Sequence, residues 1–215
     1  MIKEKIFKEL SNAVVSCKKE IVEAAVDKAI IEGILPGDII EKGLAAGINE
    51  VGILFENGKL FLPHLVLATD AMEAGLTMLE TEMPEESFKK YGVIVIGTVE
   101  DDVHDIGKII VSSMLRMSGF EIHDLGKDVP LQDFIDMARQ TNADMICLSA
   151  LTTVSLSRQK EVIEMLNEQS LRDKLIVMIG GAPASQKWSD KIGADCYAQN
   201  AIEAVSTAKK LLLQR

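Results

Sequence analysis

The chain has little of several features that mark common classes of protein. Its three cysteines, Cys17, Cys147 and Cys196, lie far apart and form no CxxC pair, so neither a zinc site nor a disulfide framework is indicated. We interpret them as free thiols of a reducing compartment. No apolar run approaches the roughly 20 residues that span a bilayer, and the N-terminal residues lack the apolar segment of a signal peptide. The sequence therefore predicts a cytoplasmic protein that does not enter the membrane.

Basic residues and the familiar catalytic motifs are also scarce. The 215 residues include 33 acidic and 23 basic side chains, which gives a net charge of −10, whereas surfaces that bind nucleic acid are rich in Lys and Arg. The sequence contains no GxSxG, HExxH or Walker motif, and the glycines after residue 96 lack the GxGxxG spacing of dinucleotide sites. We therefore expect no nucleic-acid partner and find no local support for hydrolysis or phosphoryl transfer.

The first part of the chain has the apolar periodicity of helices. Up to about residue 88, apolar residues recur at helical spacing in four segments that turn signals separate. Gly33 stands where the second helix should end, Asp38 is a candidate N-cap of the third helix, and Pro63 fits the first turn of the fourth. Four helices with short connections indicate a small antiparallel bundle over residues 1–88, with the polar stretch 83–90 as a linker.

From residue 89 to residue 215 the pattern changes to short apolar runs that alternate with amphipathic ones. Five strands are predicted, at Val93–Gly97, Glu121–Asp124, Asp144–Ser149, Leu175–Ile179 and Cys196–Ala198, and a helix follows each of them. This α/β pattern predicts a five-stranded parallel sheet that is covered on both faces. The expected strand order is 2-1-3-4-5, as in flavodoxin-like and other Rossmann-like domains.

Three polar or glycine-rich clusters follow predicted strands. They are Gly97 to Gly107, Ser149 to Ser155, and Gly180 to Pro183, and the first of them contains the stretch Asp102-Val103-His104-Asp105-Ile106-Gly107. The carboxyl ends of strands in a doubly wound sheet face one edge, where ligands bind. The sequence therefore predicts one composite site at this edge.

The first cluster has the residue types of a metal-binding imidazole. Asp102 precedes His104 by two residues, so its carboxylate can accept the Nδ1 proton, fix the tautomer and leave Nε2 free to ligate a metal. Asp105 is a possible helix N-cap, and Gly107 would let a ligand approach the backbone closely.

Simpler interpretations of the same clusters remain open at this point. His104 would then be a solvated loop residue, Ser155 or Ser157 an ordinary helix N-cap, and Gly180-Gly181 only a tight turn.

Taken together, the three clusters resemble the cobalamin-binding domain of corrinoid proteins and of methionine synthase. The family pattern of Asp-x-His-x-x-Gly, Ser-x-Leu and Gly-Gly is present as Asp102-x-His104-x-x-Gly107, Ser149-x-Leu151 and Gly180-Gly181. The helical part before it is also similar to the family, including the segment Phe61-Leu62-Pro63. The resemblance covers nearly the whole chain and is greatest to the small corrinoid proteins that serve methylamines, methanol or betaines.

The resemblance implies a four-helix bundle followed by a Rossmann-like domain that binds cobalamin with its own base displaced. His104 would be the lower axial ligand of cobalt, in a relay with Asp102 and Ser155. Ser149 and Thr153 would contact the displaced nucleotide tail, and Gly180-Gly181 would make room for it. The cofactor-binding residues that the resemblance implies are Asp102, His104, Asp105, Ile106, Gly107, Ser149, Leu151, Thr153, Ser155, Gly180 and Gly181.

The function that the resemblance implies is that of a methyl carrier without a complete active site of its own. Its partners would be a substrate-specific methyltransferase, a second methyltransferase that uses coenzyme M or tetrahydrofolate, and a reductive activase. A cobalamin-binding mutase subunit and a cobalamin-dependent regulator are the alternatives. The N-terminal bundle argues against the first, and the lack of a basic patch or helix-turn-helix argues against the second. The sequence does not indicate the methyl donor.

The chain departs from the family pattern at three positions. Asp101 stands where relatives usually have Gly, Ile109 where Asn is frequent, and Cys196 where Gly is usual. None of these changes removes an implied ligand, so the departures concern only the geometry of the loops and the choice of partner.

Overall fold

The computed structural model describes residues 2–81 and 91–213. They belong to two compact units, which comprise residues 1–84 and 85–215. The predicted linker 83–90 and the predicted domain boundary after residue 88 lie outside the described residues. No helix in the described part of the chain is long and apolar enough to cross a membrane.

The first unit is helical. Its helices are α1 (Ile2–Val15), α2 (Lys19–Ile31), α3 (Pro36–Asp38), a π-helical turn (Ile39–Leu44), α4 (Ala45–Glu56) and α5 (Leu62–Thr81). Since α3, the π-helical turn and α4 follow each other without a break, the unit has the four helical segments that the periodicity predicts. Aliphatic side chains that the helices bury against each other form its core, among them Leu10, Val14, Val22, Val26, Leu44, Met72 and Leu79.

The prediction that Asp38 caps the third helix is wrong. Leu35 is the N-cap residue and Pro36 begins the helix, so Asp38 already has helical dihedral angles. The fixed φ of proline suits the first helical position, which allows the chain to enter the helix three residues earlier. The Asp38 carboxylate instead pairs with Lys42 one turn later, at 2.7 Å.

The second unit alternates strands and helices. Its elements are β1 (Val93–Thr98), α6 (Ile106–Met117), β2 (Glu121–Asp124), α7 (Leu131–Thr141), β3 (Met145–Ser149), α8 (Leu156–Glu168), β4 (Ile176–Gly180), α9 (Gln186–Ile192), β5 (Cys196–Tyr197) and α10 (Ala201–Leu212), with a 3₁₀ turn at Arg172–Lys174. All strand pairs are parallel and the order is β2-β1-β3-β4-β5. The predicted architecture and strand order are confirmed.

Apolar side chains cover both faces of the sheet. Successive residues of a strand point to opposite faces, so Val95 packs in the cluster around Phe134 while its neighbour Ile94 packs in the cluster around Phe120. Because both faces are buried, the central strands consist of nearly continuous apolar runs.

The register of the three central strands brings the predicted clusters together. Thr98 of β1 is the register partner of Ser149 of β3, and Ser149 is the partner of Gly180 of β4. The last residues of these strands therefore form one row at the carboxyl edge of the sheet, and the three loops leave from adjacent points.

Candidate functional site

The loop between β1 and α6, residues 99–105, is fixed at both ends. The buried Thr98 donates a hydrogen bond from Oγ1 to the carbonyl oxygen of His104, at 3.0 Å. At the start of the loop, the backbone N–H of Val99 donates to the carbonyl oxygen of Ser149, at 3.0 Å. We call this segment the His104 loop; its two ends are held by the strand that precedes it and by the neighbouring strand.

Asp102 is the centre of the site and is 1% exposed. Its Oδ1 accepts hydrogen bonds from the backbone N–H of His104 at 3.1 Å and lies 2.8 Å from Nδ1 of the same residue. Its Oδ2 accepts from the Ser155 hydroxyl at 2.6 Å and from the backbone N–H groups of Leu151 and Thr152, at 2.6 and 3.2 Å. One carboxylate thus joins the His104 loop to the loop between β3 and α8.

The hydrogen bonds decide the protonation state of Asp102. Burial raises the pKa of this carboxyl, but the bonds from the Ser155 hydroxyl, the Leu151 N–H and His104 outweigh burial and lower the pKa to about 2. Asp102 is therefore ionised at neutral pH, and the proton that it shares with His104 belongs to the imidazole.

His104 presents its second nitrogen outward. Its side chain is 54% exposed, and no residue in the described part of the chain forms a hydrogen bond with Nε2. No group of three or more His, Cys, Asp or Glu that could hold a metal exists within residues 2–81 and 91–213. His104 would therefore be a single protein ligand, which suits a metal whose other ligands come from elsewhere. The exposed apolar side chains of Val103, Leu151 and Val154 belong to the same two loops.

The hydroxyl groups after β3 divide into two kinds. Ser155 occupies the N-cap position of α8, but its hydroxyl donates to Asp102 and makes no cap, so the N-cap interpretation is wrong for this residue. Within the described residues, the hydroxyls of Ser149 and Thr153 make no hydrogen bond, which leaves both available to a ligand. Asp105 lies at the N-cap position of α6 without capping it, and its carboxylate lies 3.6 Å from Lys127.

The two glycines after β4 differ in what the protein requires of them. Gly181 has a φ of +110°, and a Cβ there would lie 1.8 Å from the carbonyl oxygen of Ala150. A Cβ on Gly180 would meet only the carbonyl oxygen of Ala198, at an ordinary 3.4 Å. A Cβ on Gly107, at the start of α6, would meet nothing within 4 Å. The protein's own backbone therefore demands the glycine at 181 but not those at 180 and 107.

Sequence reasoning missed a buried residue of α8 that supports the carboxyl edge of the sheet. Gln159 of α8 is fully buried, and its Nε2 donates to the carbonyl oxygens of Leu148 and Gly180, both at 3.0 Å. Its Oε1 accepts from Nε1 of Trp188, at 3.1 Å. Gln159 follows Ser155 by four residues and lies on the same face of the helix, and this spacing was the available signal.

An ion pair between a buried lysine and an aspartate at the surface supports the other side of the His104 loop. Lys108, in the first turn of α6, is buried and places Nζ 2.5 and 2.6 Å from the two carboxylate oxygens of Asp124, at the end of β2. Asp124 also accepts from the N–H of Gly126. The pair attaches the beginning of α6 to the sheet. The residues between Lys108 and the end of the loop, Ile106 and Gly107, are thereby placed beside His104.

A parallel sheet whose carboxyl edge presents one outward imidazole, oriented by a buried carboxylate, has the geometry to hold a metal-containing cofactor through a single side chain. Two family models match the chain, each described as a B12 binding domain, at residues 6–80 and 92–206. The dimethylamine corrinoid protein of Methanosarcina barkeri is 62% identical over 213 residues, which are 99% of this chain and 100% of that protein. The chain belongs to the family of B12-binding corrinoid proteins and binds a corrinoid.

Solved structures agree with this assignment. The structure of the Methanosarcina barkeri monomethylamine corrinoid protein matches with a TM-score of 0.83 and 37% identity, over 96% of this chain and 98% of that one. A chain of the methanol:cobalamin methyltransferase complex MtaBC from the same organism matches with a TM-score of 0.56 and 28% identity, over 98% of this chain and 81% of that one. The resemblance that the sequence motifs indicate is confirmed.

Proposed function

We propose that this chain carries methyl groups on the cobalt of its corrinoid, from a substrate-specific methyltransferase to a second methyltransferase. The observation that carries the proposal is the pair of Asp102 and His104, in which Nδ1 of the imidazole is occupied and Nε2 has no partner within residues 2–81 and 91–213. Membership of the corrinoid protein family supports the same function.

The residues at the edge of the sheet fit a corrinoid. His104 Nε2 would be the lower axial ligand after displacement of the corrinoid's own base. The exposed Val103, Leu151 and Val154 offer apolar contact to a large flat ring. For the polar tail, the hydroxyls of Ser149 and Thr153 have no hydrogen-bond partner among the described residues. Gly180 has no side chain, although a Cβ there would make only an ordinary contact, so it leaves space for a ligand.

The residues of this chain control the protonation of the His104 imidazole. A bound corrinoid would supply the cobalt centre for methyl transfer, and the chain would supply a protein ligand to it. His104 coordinates only while Nε2 is unprotonated, and the hydrogen bond from Nδ1 to Asp102 strengthens it as a ligand. The Ser155 hydroxyl and the backbone N–H of Leu151 keep Asp102 ionised, so this bond persists at neutral pH. Protonation of Nε2 would release the metal.

The names and sequence identities of the relatives support a choice of methyl donor and of partner proteins. The relative that shares 62% of its residues is named a dimethylamine corrinoid protein, whereas the monomethylamine protein shares 37%. We infer that dimethylamine is the methyl donor, through a separate methyltransferase that recognises it, as the methanol complex pairs a methyltransferase with a related chain. A second methyltransferase, with coenzyme M or tetrahydrofolate as acceptor, and a reductive activase complete the proposed system.

Substitution of His104 tests the assignment of the ligand. The chain is expected to bind hydroxocobalamin about one to one and to show the base-off spectrum with a histidine ligand. His104→Ala should abolish the histidine signature. His123→Ala is the matched control, because His123 lies on β2 and contacts Glu121 at 3.1 Å instead of the site. An unchanged spectrum in His104→Ala would show that the assignment is wrong.

Reconstitution tests the carrier function and the donor. Methyl transfer from dimethylamine to the bound corrinoid should require an added methyltransferase, and trimethylamine and monomethylamine should be poor donors with that same enzyme. Demethylation of any amine by this chain alone would contradict the carrier function. Equal transfer from all three amines would contradict only the choice of donor.

A further inference from the structure

A second acidic residue lies next to Asp102 in an unusual backbone conformation. Asp101 has a φ of +66°, in the left-handed region that most residues with side chains avoid. Its carboxylate Oδ2 accepts two hydrogen bonds from the guanidinium group of Arg158, from Nε at 3.0 Å and from Nη2 at 2.5 Å. A side chain therefore occupies a position that favours glycine, and an ion pair engages that side chain.

The ion pair joins the two segments that also meet at Asp102. Asp101 immediately precedes Asp102 in the His104 loop, and Arg158 follows Ser155 by three residues in α8. The backbone here has one further attachment: the N–H of Asp101 donates to Oδ1 of Asp128 at 2.8 Å, and the N–H of Asp128 donates to the carbonyl oxygen of Asp102 at 2.9 Å. The partly exposed ion pair of Asp101 and Arg158 thus connects the His104 loop to α8, next to the buried hydrogen bonds of Asp102.

We propose that Arg158 is a positioning residue for the His104 ligand. By engaging Asp101 in its left-handed conformation, Arg158 holds the His104 loop against α8, and this keeps Oδ1 of Asp102 aimed at Nδ1 of His104. The inference rests on the proposed function in that His104 is the cobalt ligand. It adds a control of that ligand from a residue whose hydrogen bonds go to Asp101 and Glu161 and not to His104.

The chemistry of the pair suits this role. Arginine donates from a planar group in a fixed geometry, so it orients a carboxylate where a lysine ammonium would only attract it. Arg158 also forms an ion pair with Glu161, whose carboxylate lies 2.8 Å from Nη1. Hydrogen bonds to Asp101 and Glu161 raise the pKa of Arg158 further above its usual range, so its charge is permanent. Since both members of the pair are partly exposed, salt should weaken it.

Four variants separate positioning from other effects. Asp101→Asn removes the charge while keeping a residue type that tolerates positive φ, and Arg158→Gln removes the cation. The double variant tests whether the two act through each other. Glu161→Gln is the matched control, because it removes the other ion pair of Arg158 without touching the His104 loop.

Two readouts report on His104. With hydroxocobalamin bound, the spectrum gives the equilibrium between coordinated and released histidine. In the full chain without corrinoid, nitrogen NMR of the imidazoles gives the fraction of His104 that carries its proton on Nδ1; the chain has three histidines, and His104→Ala assigns the signal.

Asp101→Asn and Arg158→Gln should each shift the coordination equilibrium toward release, by about two- to fivefold at low salt. The double variant should equal the larger single effect. The difference from the unsubstituted chain should shrink near 1 M salt, and Glu161→Gln should match that chain. In NMR, both single variants should lower the Nδ1-protonated fraction of His104.

Several outcomes would overturn the inference. One is that both single variants behave as the unsubstituted chain while His104→Ala loses the histidine signature. Another is that Glu161→Gln is as damaging as Arg158→Gln. Opposite shifts in Asp101→Asn and Arg158→Gln would indicate a purely electrostatic effect on the imidazole, without positioning. If His104→Ala leaves the spectrum unchanged, the ligand assignment in the proposed function fails, and the NMR measurement alone decides whether Arg158 positions His104.

Discussion

The His104 loop and the glycine pair at Gly180-Gly181 lie at the same edge of the sheet, yet different forces shape them. Hydrogen bonds organise the His104 loop: five of them meet on the buried carboxylate of Asp102, and Nε2 of His104 has no partner in the part of the chain that the structure describes. Steric contact organises the glycine pair, because Gly181 lies against the backbone of Ala150. The hydrogen bonds of the first region leave Nε2 of His104 available to a ligand, whereas the packing of the second region excludes a Cβ at position 181.

This difference shows how a motif divides between structure and function. Gly181 is required by the protein's own fold, so its presence in the motif carries no information about a ligand. Gly180 and the Nε2 of His104 have no such internal explanation. Motif residues that the fold itself does not require, such as Gly180 and His104, are therefore the ones to assign to the corrinoid. Substitutions can separate them from residues that the fold requires, such as Gly181.

The largest expected effect is that of Gly181→Ala. The new Cβ would lie 1.8 Å from the Ala150 carbonyl oxygen at a φ of +110°, so the backbone must move, and we expect a loss of about 3 kcal/mol in the free energy of unfolding. Gly180→Ala is the matched control, with an expected loss below about 1 kcal/mol. Urea denaturation of both variants measures the difference.

The two glycine positions can also be compared by their effect on cofactor binding. Gly180→Ala should weaken hydroxocobalamin binding although it leaves the fold stable. Equal stability losses in the two alanine variants would show that the steric distinction between the glycines is wrong, whereas full binding by Gly180→Ala would remove that residue from the cofactor site.

Asp102→Asn should have the next largest effect. The hydrogen bonds that lower the pKa of Asp102 from 3.8 to about 2 stabilise the folded chain by about 2 kcal/mol at neutral pH. Because the pKa in the folded chain lies below that in the unfolded chain, this contribution is complete above about pH 5 and is lost as the pH falls from about 4 through 2. Urea denaturation at pH 7 and at about pH 2.5 should show a larger gap in the free energy of unfolding between Asp102→Asn and the unsubstituted chain at pH 7. A gap that does not change with pH would contradict the ionisation of Asp102.

Gln159→Met tests whether the edge depends on support from α8. Methionine has a similar volume but cannot donate to the carbonyl oxygens of Leu148 and Gly180, so we expect a loss of about 1–2 kcal/mol. The emission of Trp188, the single tryptophan, should change because its N–H loses the Gln159 partner. Gln186→Met, on the exposed side of α9, should change neither stability nor emission. An unchanged emission in Gln159→Met would contradict the hydrogen bond.

The smallest effect on stability is expected at Ser149 and Thr153. Their hydroxyls have no hydrogen-bond partner in the described part of the chain, so Ser149→Ala and Thr153→Val should change the free energy of unfolding by less than about 0.5 kcal/mol. Both should nevertheless weaken hydroxocobalamin binding severalfold, which a spectroscopic titration measures. Ser157→Ala is the control, because its hydroxyl bonds the Val154 carbonyl oxygen. Unchanged binding in both test variants would place the corrinoid tail elsewhere.

Local patterns in the sequence were sufficient for the architecture. Strands and helices have different apolar periods, and both faces of a parallel sheet must be covered, so the alternation after residue 89 predicts the sheet and its order. The partnership of Asp102 and His104 was also predictable, because two residues of separation in a loop bring carboxylate and imidazole within reach. The family motif then pointed to a corrinoid.

Contacts between distant segments could be decided only by the tertiary structure. The sequence by itself determined which residues could be ligands: a histidine with an adjacent acid, hydroxyls after a strand, and glycines where space is needed. The resemblance already placed Ser155 with Asp102, but the packing of α8 on the sheet decided that Ser155 leaves its own helix uncapped, that Arg158 reaches Asp101, and that Gly181 lies against the carbonyl group of Ala150. The physical reason is that hydrogen bonding and steric exclusion act over a few ångströms in space, and residues about 30 to 60 positions apart approach that closely only after the chain has folded.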